Sequence, residues 1–342
     1  MGRPALRPER PPAFVLNMYD TGLAIARNLG RRGIPVVGVS SRDDLPGSFS
    51  RYCRPLVGPD SREDPRGLAA HLIDQARRLP ARGIIFPTRD ADVLFLDAHR
   101  EALEPHFAIP LPGRDALRSI MEKSRLAALS ESAGIAAPRT CRVTSEADIL
   151  LRRDEFVFPA LVKPVLAEHW RRADVWNAVG RKKAIRVERL EDLVGAYRRS
   201  ARYVAEALVQ EWVPGNEDQF FIVGAYVGRD GTCRGAFTAQ KLHQYPPDFG
   251  LGCLVRSRVD PVVEELGLRL LRAIGFTGIA EVEFKRDARD GAYRLIEVNP
   301  RPWDQHALGA ACGVDVAYLA YRDHCEPPAP RAASDGRERY WV

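Results

Sequence analysis

Two oxygen-donor side chains and an arginine lie close together near the C-terminal end of the sequence. The segment YRLIEVNPRPW (293–303) alternates apolar and polar residues and carries Glu297, Asn299 and Arg301. Because side chains of a β-strand alternate between two faces, Glu297 and Asn299 are predicted to share one face. Carboxylate and amide oxygens are typical ligands of Mg²⁺, and a neighbouring arginine can contact an anion that the metal also binds.

A second acidic strand precedes this one. The segment AEVEFKRD (280–287) places Glu281 and Glu283 on one face, and only a short turn joins it to the next strand. Antiparallel pairing then puts Glu283 opposite Glu297 or Asn299, where a cation would offset the repulsion between carboxylates. For any single glutamate a solvated sheet face is the better interpretation, but the combination favours a metal site.

Three lysines are candidates for contacts with an anion. Lys163 stands in the apolar strand LVKPV, where burial of an ammonium group is costly without an anionic partner. Lys123, in SIMEKSRL, and Lys241, in FTAQKLHQ, are ambiguous when each is taken alone.

The segment VQEWVPGNED resembles a strand that ends in a turn. Glu211, Trp212 and Val213 precede Pro214 and Gly215. Backbone groups at such a strand end are able to meet the edge of an adenine, and the acid that follows the turn, Glu217, is placed to bond ribose hydroxyls. A hairpin turn with exposed acids explains the same residues equally well.

Three further side chains are candidates for substrate contacts. Arg256 and Arg258 in LVRSRVD have the planar donor groups that bind a carboxylate, with exposed strand arginines as the alternative. His306 follows the acidic strand and is a candidate for the wall of a substrate pocket, with a structural histidine as the alternative.

The elements that must position these residues fall into several units. Strand and helix patterns alternate after residue 13, which predicts a parallel, Rossmann-like sheet, but no G-x-G-x-x-G follows the first strand. The loops at 19–21 and 88–90 follow predicted strand ends, where such sheets bind ligands. From 115 onward the pattern is α+β, with mainly antiparallel strands and one helix from Asp115 to Gly134. The predicted units are a disordered arm at 1–12, domains at 13–114, 115–205 and 206–325, and a flexible tail at 326–342.

The amino-acid composition indicates a globular protein without a membrane-spanning segment. The chain has 342 residues, 45% of them hydrophobic and 28% charged, which is typical of a globular protein. No apolar run is long enough to span a membrane, and the six cysteines are widely separated, so we expect reduced thiols and a cytoplasmic location. The net charge of +6 suits a cleft for anionic ligands. Nucleic-acid binding is not expected, because aromatic residues are not interleaved with the basic stretch after residue 168.

Taken in order, these motifs resemble the ATP-binding sequence of the ATP-grasp superfamily. Lys123, VKP at Lys163, QEWVPGNE, EVEF and IEVNPR carry the resemblance, which spans 115–321. The unit at 13–114 resembles the Rossmann-like pre-ATP-grasp domain. The stretches QYPPDFG (244–250) and NPRPW favour the carboxylate–amine ligase branch, near D-aspartate ligase-like proteins.

The resemblance implies a role for each candidate residue. ATP is the expected cosubstrate, with Mg²⁺ or alternatively Mn²⁺ as the metal. The implied phosphate contacts and catalytic cations are Lys123, Lys163, Lys241 and Arg301. The implied adenine and ribose contacts are Glu211, Trp212, Val213 and Glu217. The implied metal ligands are Glu283, Glu297 and Asn299, while Arg256, Arg258 and His306 remain candidate substrate contacts.

One departure from the family pattern concerns the loop after the VKP strand. Many relatives have a glycine-rich phosphate loop there, whereas this chain has only Gly180 and a set of large and basic residues, His169, Trp170, Arg171, Arg172, Lys182 and Lys183. The implied activity is amide formation between a small carboxylate and an amine through an acyl phosphate. A carboxylase-type enzyme, a kinase-like enzyme and a non-catalytic nucleotide-binding protein are the alternatives, and the sequence is compatible with a homo-oligomer.

Overall fold

The structure is a computed structural model that describes residues 10–165, 169–170, 172–247, 250–327 and 330–342, apart from the side chains of Lys123, Ser124 and Ala173. Residues 1–9 of the predicted arm therefore lie outside the described part of the chain. Within the described ranges no helix combines the length and the apolar character needed to cross a bilayer.

The first lobe is a parallel sheet of five strands in the order β3-β2-β1-β4-β5. The inner strands are buried on both faces, which explains their continuous apolar runs. The strands are β1 (Ala13–Leu16), β2 (Val36–Ser40), β3 (Arg54–Val57), β4 (Gly83–Phe86) and β5 (Phe107–Ala108), and the helices are α1 (Asp20–Gly30), α2 (Pro65–Ala76), α3 (Asp90–Ala98) and α4 (Arg100–Leu103). The predicted parallel sheet is confirmed.

The second lobe contains an antiparallel sheet of four strands in the order β6-β9-β7-β8. Its helices between residues 146 and 201 cover a buried cluster that includes Trp170. The strands are β6 (Thr140–Val143), β7 (Ala160–Lys163), β8 (Ile185–Val187) and β9 (Ala207–Glu211), and the helices are α5 (Arg114–Met121), α6 (Lys123–Ser132), α7 (Glu146–Leu151), α8 (Ala173–Ala178) and α9 (Leu190–Ala201).

The third lobe is built on an antiparallel sheet of six strands in the order β14-β13-β10-β11-β12-β15. Its strands are β10 (Phe220–Val227), β11 (Cys233–Tyr245), β12 (Leu251–Ser257), β13 (Gly278–Arg286), β14 (Tyr293–Asn299) and β15 (Tyr340–Trp341), and its helices are α10 (Pro261–Ile274), α11 (His306–Ala311) and α12 (Val316–Cys325). The side chain of Asp260 accepts from the N–H of Val263 at the start of α10, and Gly275 ends the helix at φ 67°.

The two faces of the six-stranded sheet have different partners. One face carries Phe221, Val223, Val282 and Phe284, which pack in a buried cluster with residues of α10. The opposite face carries the acidic residues of β13 and turns toward the other lobes. This sheet sets the position of the candidate site, because strand register decides which side chains share its polar face.

The structure differs from two expectations about individual segments. The helix predicted from Asp115 to Gly134 is divided into α5 and α6 at Glu122, whose φ of −89° and ψ of 100° are extended. The tail predicted to be flexible is tied to the sheet, because β15 pairs with β12 and the carbonyl of Arg339 accepts from the N–H of Ser257 at 2.8 Å. Backbone pairing at a sheet edge thus outweighs the polar composition of this segment.

Candidate active site

A cleft of about 380 Å³ lies where the three lobes meet. Each lobe contributes polar side chains to its wall, and the position of the cleft at this junction is typical of ligand sites. The principal polar residues of the wall are Thr88, Arg89 and Asp90 from the first lobe, Lys163 and Lys183 from the second, and Lys241, Glu281, Glu283, Lys285, Glu297, Asn299 and Arg301 from the third.

Four of these residues form a compact polar patch on β13 and β14. Glu283 lies directly opposite Glu297, and Glu281 lies opposite Asn299. The predicted antiparallel pairing is therefore confirmed, and all four side chains share one face. The amide nitrogen of Asn299 donates to Glu281 at 2.9 Å, and this bond does not use the amide oxygen. The pKa of the Glu281 carboxyl group is raised above its ordinary value, mainly because the group is buried.

Lys241 provides a buried positive charge beside these carboxylates. Its ammonium group donates to Glu283, and its exposed fraction is only 6%. Burial acts to lower the pKa of Lys241, but the attraction of Glu283 and Glu281 outweighs it, so the pKa is raised and the group stays charged.

The oxygen donors of Glu283, Glu297 and Asn299 fit Mg²⁺ by their chemistry, because this ion prefers hard oxygen ligands and retains several waters. Among the residues that the structure describes, no three His, Cys, Asp or Glu side chains converge as a ready-made metal site. The contact between Glu283 and Lys241 and the contact between Glu281 and Asn299 hold two of the carboxylates in other interactions.

Arg301 lies just beyond the end of β14 and bonds to the first lobe. Its Nε donates to the carboxylate of Asp90 at 2.6 Å. Burial acts to lower the pKa of Arg301, whereas Asp90 and the carboxylates of Glu281 and Glu297 outweigh that effect and raise it. The guanidinium is thus a fixed positive charge at the end of the acidic strands.

Two lysines of the second lobe are predicted to contact phosphate, and the structure describes the side chain of only one of them. Lys163 is half-buried at the end of β7, lines the cleft and donates to the side-chain oxygen of Gln210 at 2.6 Å. Lys123 begins α6, but its side chain lies outside the described residues, so its predicted contact stays a prediction.

The segment predicted to contact adenine, Glu211 to Val213 (the adenine hinge), lies along the cleft, but two of its three backbone N–H groups already donate within the protein. The N–H of Glu211 donates to the carbonyl of Arg139 at 2.8 Å, and the N–H of Trp212 donates to the carbonyl of Pro159 at 2.9 Å. Val213 is buried and also lines the cleft.

Glu217, the predicted ribose contact, does not reach the described wall of the cleft. Its carboxylate accepts from the N–H of Gln244 at 3.3 Å and lies 3.6 Å from the exposed ring of His243. Gln244 does line the cleft, so Glu217 lies one residue behind the wall.

The structure contradicts the substrate clamp proposed for Arg256 and Arg258. Register pairs Arg256 with Gln240 and Lys241 with Val255, so Arg256 lies on the face of the sheet opposite to Lys241. Both guanidinium groups donate to the side-chain oxygen of Gln240, at 2.7 and 3.1 Å. These arginines therefore face away from the cleft.

His306 is also a structural residue and not part of the cleft wall. It is fully buried, and its Nδ1 bonds to the carbonyl of Trp303 at 2.9 Å. Burial lowers the pKa of His306 to about 4, so the ring is neutral near pH 7. The preceding residues Trp303, Asp304 and Gln305 line the cleft instead.

The sequence patterns missed two features of the wall. Lys285 follows Glu283 by two residues and shares its face, so the alternation of EVEFKRD was a usable signal. Loop 88–90 was expected to contact substrate, but its ion pair with Arg301 carries no local sequence signal.

In the basic loop that follows the VKP strand, Trp170 and Lys183 line the cleft, while Arg171 lies outside the described residues.

Comparison with known proteins agrees with the motifs. Residues 255–323 match the family model described as the carbamoyl-phosphate synthase L chain, ATP binding domain, which supports ATP binding. The chain is 28% identical over 237 residues to a D-alanine–D-alanine ligase of Ectopseudomonas mendocina (strain ymp), covering 65% of this chain and 71% of that one. It is 26% identical over 235 residues to a D-aspartate ligase of Enterococcus faecium (strain Aus0004), covering 67% and 55%.

The fold matches a solved structure over nearly its whole length. The ADP complex of an N5-carboxyaminoimidazole ribonucleotide synthetase aligns with a TM-score of 0.73 at 15% identity, covering 99% of this chain and 82% of that one. Sequence motifs, sequence relatives and fold therefore agree. The chain has the ATP-grasp fold and is similar in sequence to D-alanine–D-alanine and D-aspartate ligases.

Proposed function

We propose that this protein is an ATP-dependent ligase that joins a small carboxylate to an amine through an acyl phosphate. One observation carries the proposal: Glu283 and Glu297 lie opposite each other in a cleft that also holds the buried cation of Lys241 and the partly buried cation of Arg301. Oxygen ligands for a metal and fixed positive charges are what phosphoryl transfer requires, because catalysis there depends on positioning and charge stabilisation.

Glu283, Glu297 and Asn299 would hold Mg²⁺, with Mn²⁺ as an alternative. When bound, the ion would neutralise phosphate charge and favour attack at the γ-phosphorus. To serve as a ligand Glu283 has to exchange its contact with Lys241, which would free the ammonium group for a phosphate oxygen.

The protein's own cations would stabilise the charge that develops during transfer. Arg301 is held beside the acidic strands by Asp90, so its guanidinium is already oriented and little reorganisation is needed. Lys163 is placed on the opposite sheet, at the end of β7, where it would contact phosphate from the other side of the cleft.

Val213 is the proposed backbone contact for adenine, because the N–H groups of Glu211 and Trp212 already donate within the protein. Trp212 would contribute its ring to the base pocket. Glu217 would contact ribose only if the Gln244 segment shifted, since Gln244 lies between it and the cleft.

The first reaction to measure is ADP release with Mg²⁺ and ATP, using pooled amino acids, short peptides and small carboxylates. D-alanine and D-aspartate are the first acids to separate from the pool, because the related ligases carry those names. Bicarbonate is tested separately. Glu297→Ala should lower turnover by about 10³-fold or more, while the exposed, matched variant Glu265→Ala should not.

The outcomes separate the alternatives. Release that requires both an acid and an amine supports the ligase. Release with one carboxylate and a stable phosphorylated product identifies a kinase, and dependence on bicarbonate identifies a carboxylase. Nucleotide binding without release leaves two readings, a substrate absent from the pool or a non-catalytic binding protein. Near-normal turnover of Glu297→Ala contradicts the proposed metal site.

A cytoplasmic location, a homo-oligomeric state and the domain boundaries stay predictions.

A further inference from the structure

Glu281 is a buried acid of the cleft that is neither a proposed metal ligand nor a proposed phosphate contact. Its exposed fraction is only 5%, and it lines the cleft beside the proposed ligands. Burial of a carboxylate costs free energy, and the attraction of Lys241 and Arg301 offsets part of that cost. An acid is therefore retained here at a cost, and its hydrogen bond indicates what it does.

Strand register brings Glu281 to Asn299. The two residues lie opposite each other on β13 and β14, and the amide nitrogen of Asn299 donates to the Glu281 carboxylate at 2.9 Å. An ionised carboxylate only accepts hydrogen bonds, so it selects the orientation in which the amide nitrogen faces it. The amide oxygen then points away from Glu281 and stays available on the face of the sheet that also carries Glu283 and Glu297.

The orientation of this amide matters for a cation. The last torsion of an asparagine side chain has two nearly equivalent settings, which exchange the positions of its oxygen and its nitrogen. One setting offers an oxygen ligand to Mg²⁺, whereas the other presents N–H groups that repel the ion. Hydrogen bonds from residues behind the ligands commonly decide such an orientation, and their loss weakens metal binding.

We infer that Glu281 is a positioning residue, which holds the amide nitrogen of Asn299 and so directs the amide oxygen toward the metal ion. The inference rests on the proposed function and deepens it, because it assigns a role to an acid of the same cleft that contacts neither metal nor phosphate directly. Glu281 acts through Asn299, and that dependence is what an experiment can measure.

Binding of Mn²⁺ to the full chain tests the inference without any turnover. Electron paramagnetic resonance measures free Mn²⁺ during a titration, with and without the non-hydrolysable ATP analogue AMPPNP. The titration is run at pH 8, above the pKa of Glu281, which burial raises to about 7. Glu281→Ala should raise the dissociation constant of Mn²⁺ about tenfold. Glu281→Gln should lose less, because its side-chain oxygen still accepts from the amide of Asn299.

A double-mutant cycle decides whether Glu281 acts through Asn299. Asn299→Ala should weaken Mn²⁺ binding at least as much as Glu281→Ala, and the double variant should bind no more weakly than Asn299→Ala alone. Additive losses would overturn the inference, because they identify Glu281 as an independent ligand or a separate source of charge. Unchanged Mn²⁺ affinity in Glu281→Ala would overturn it as well.

Two controls accompany the cycle. Glu265→Ala removes an exposed carboxylate that pairs with Arg272 and should bind Mn²⁺ as the unmodified protein does. Calorimetric binding of ADP in EDTA shows that each variant is folded, and Glu281→Met replaces the alanine variant if that protein fails to fold. An unmodified protein that binds ADP but no Mn²⁺ contradicts the metal site and this inference with it. If the unmodified protein binds neither, the proposed function itself fails, and that result is distinct from a defect confined to the variants.

Discussion

Arg301 and Asp90 join the third lobe to the first by an ion pair of 2.6 Å. The two residues are 211 positions apart in sequence and both line the cleft. Thr21 of the first lobe makes a second such contact, because its hydroxyl donates to Asp304 at 2.5 Å. The first lobe therefore helps to position the proposed catalytic face of the third lobe and is more than a separate module beside it.

Removal of the Asp90 carboxylate should lower the turnover number more than it changes the KM for ATP. Without its partner the guanidinium of Arg301 loses its orientation, and a misplaced catalytic group costs on the order of tenfold to a hundredfold in rate. Steady-state ADP release should show a graded loss, with Asp90→Asn intermediate and Asp90→Ala lower. Asp97→Asn, in the same helix α3, pairs with Arg100 instead and is the matched control. Equal rates for Asp90→Ala and the control would contradict a positioning role.

Removal of divalent metal should stop turnover without preventing nucleotide binding at the hinge. In the proposed arrangement two carboxylates and an amide oxygen bind the metal ion. Trp212 and Val213 contact the base, and these contacts do not involve the metal. Chelation by EDTA should therefore abolish ADP release, and added Mg²⁺ or Mn²⁺ should restore it. ADP binding by calorimetry should persist in EDTA. Full turnover in excess chelator would exclude a catalytic metal.

Acidification should destabilise the protein through His306. The pKa of this ring is about 4 in the folded protein, against about 6.5 when unfolded, so between these values the unfolded chain binds a proton that the folded one does not. The free energy of unfolding therefore falls as pH drops from 6.5 to 4, by up to about 3 kcal/mol for this group. Below pH 4 both states are protonated and the effect ends.

Urea unfolding at pH 7 and pH 4.5 measures this effect. His306→Asn should lose less stability between the two pH values than the unmodified protein, because the titrating ring is gone. His243→Asn, at an exposed position, is the matched control for replacement of a histidine by asparagine. Identical pH dependence in all three proteins would show that His306 is not protonated on unfolding.

Gly224 should not tolerate even one added carbon atom. A Cβ at this position would lie 2.3 Å from the ring of Trp303 and 2.5 Å from that of Phe237, which stack on each other over this glycine. Gly224→Ala should lower the free energy of unfolding by about 1–3 kcal/mol and displace Trp303 from the cleft wall. Gly195→Ala, at a half-buried position of α9 with open space for a Cβ, should stabilise the chain by about 0.5–1 kcal/mol. Denaturant unfolding of the two variants checks both signs.

The acidic patch could be predicted from the sequence because it depends on local rules. A short turn joins β13 to β14, and the period of two then fixes which side chains share a face, so Glu283 opposite Glu297 follows without knowledge of the rest of the fold. The parallel first sheet followed equally from the alternation of strands and helices.

The wrong or missed predictions concern residues whose position depends on contacts between parts of the chain that are far apart in sequence. Arg256 lies beyond a turn and an irregular register between β11 and β12, so its face cannot be counted along the sequence from Lys241. The contact between Asp90 and Arg301 depends on how whole lobes pack. The polar composition of the C-terminal segment gave no sign of the edge strand that it forms on β12.

That edge strand has a consequence for synthesis of the protein on the ribosome. Gly252 in β12 lines the cleft and accepts a hydrogen bond from Gln305, and β12 in turn is held at its outer edge by Trp341 and its neighbours. The sheet therefore gains its last strand only after residue 341 has left the exit tunnel. Nascent chains arrested before that point would lack the outer support of the cleft, so a translational pause before residue 340 should delay activity more than it delays folding of the first lobe.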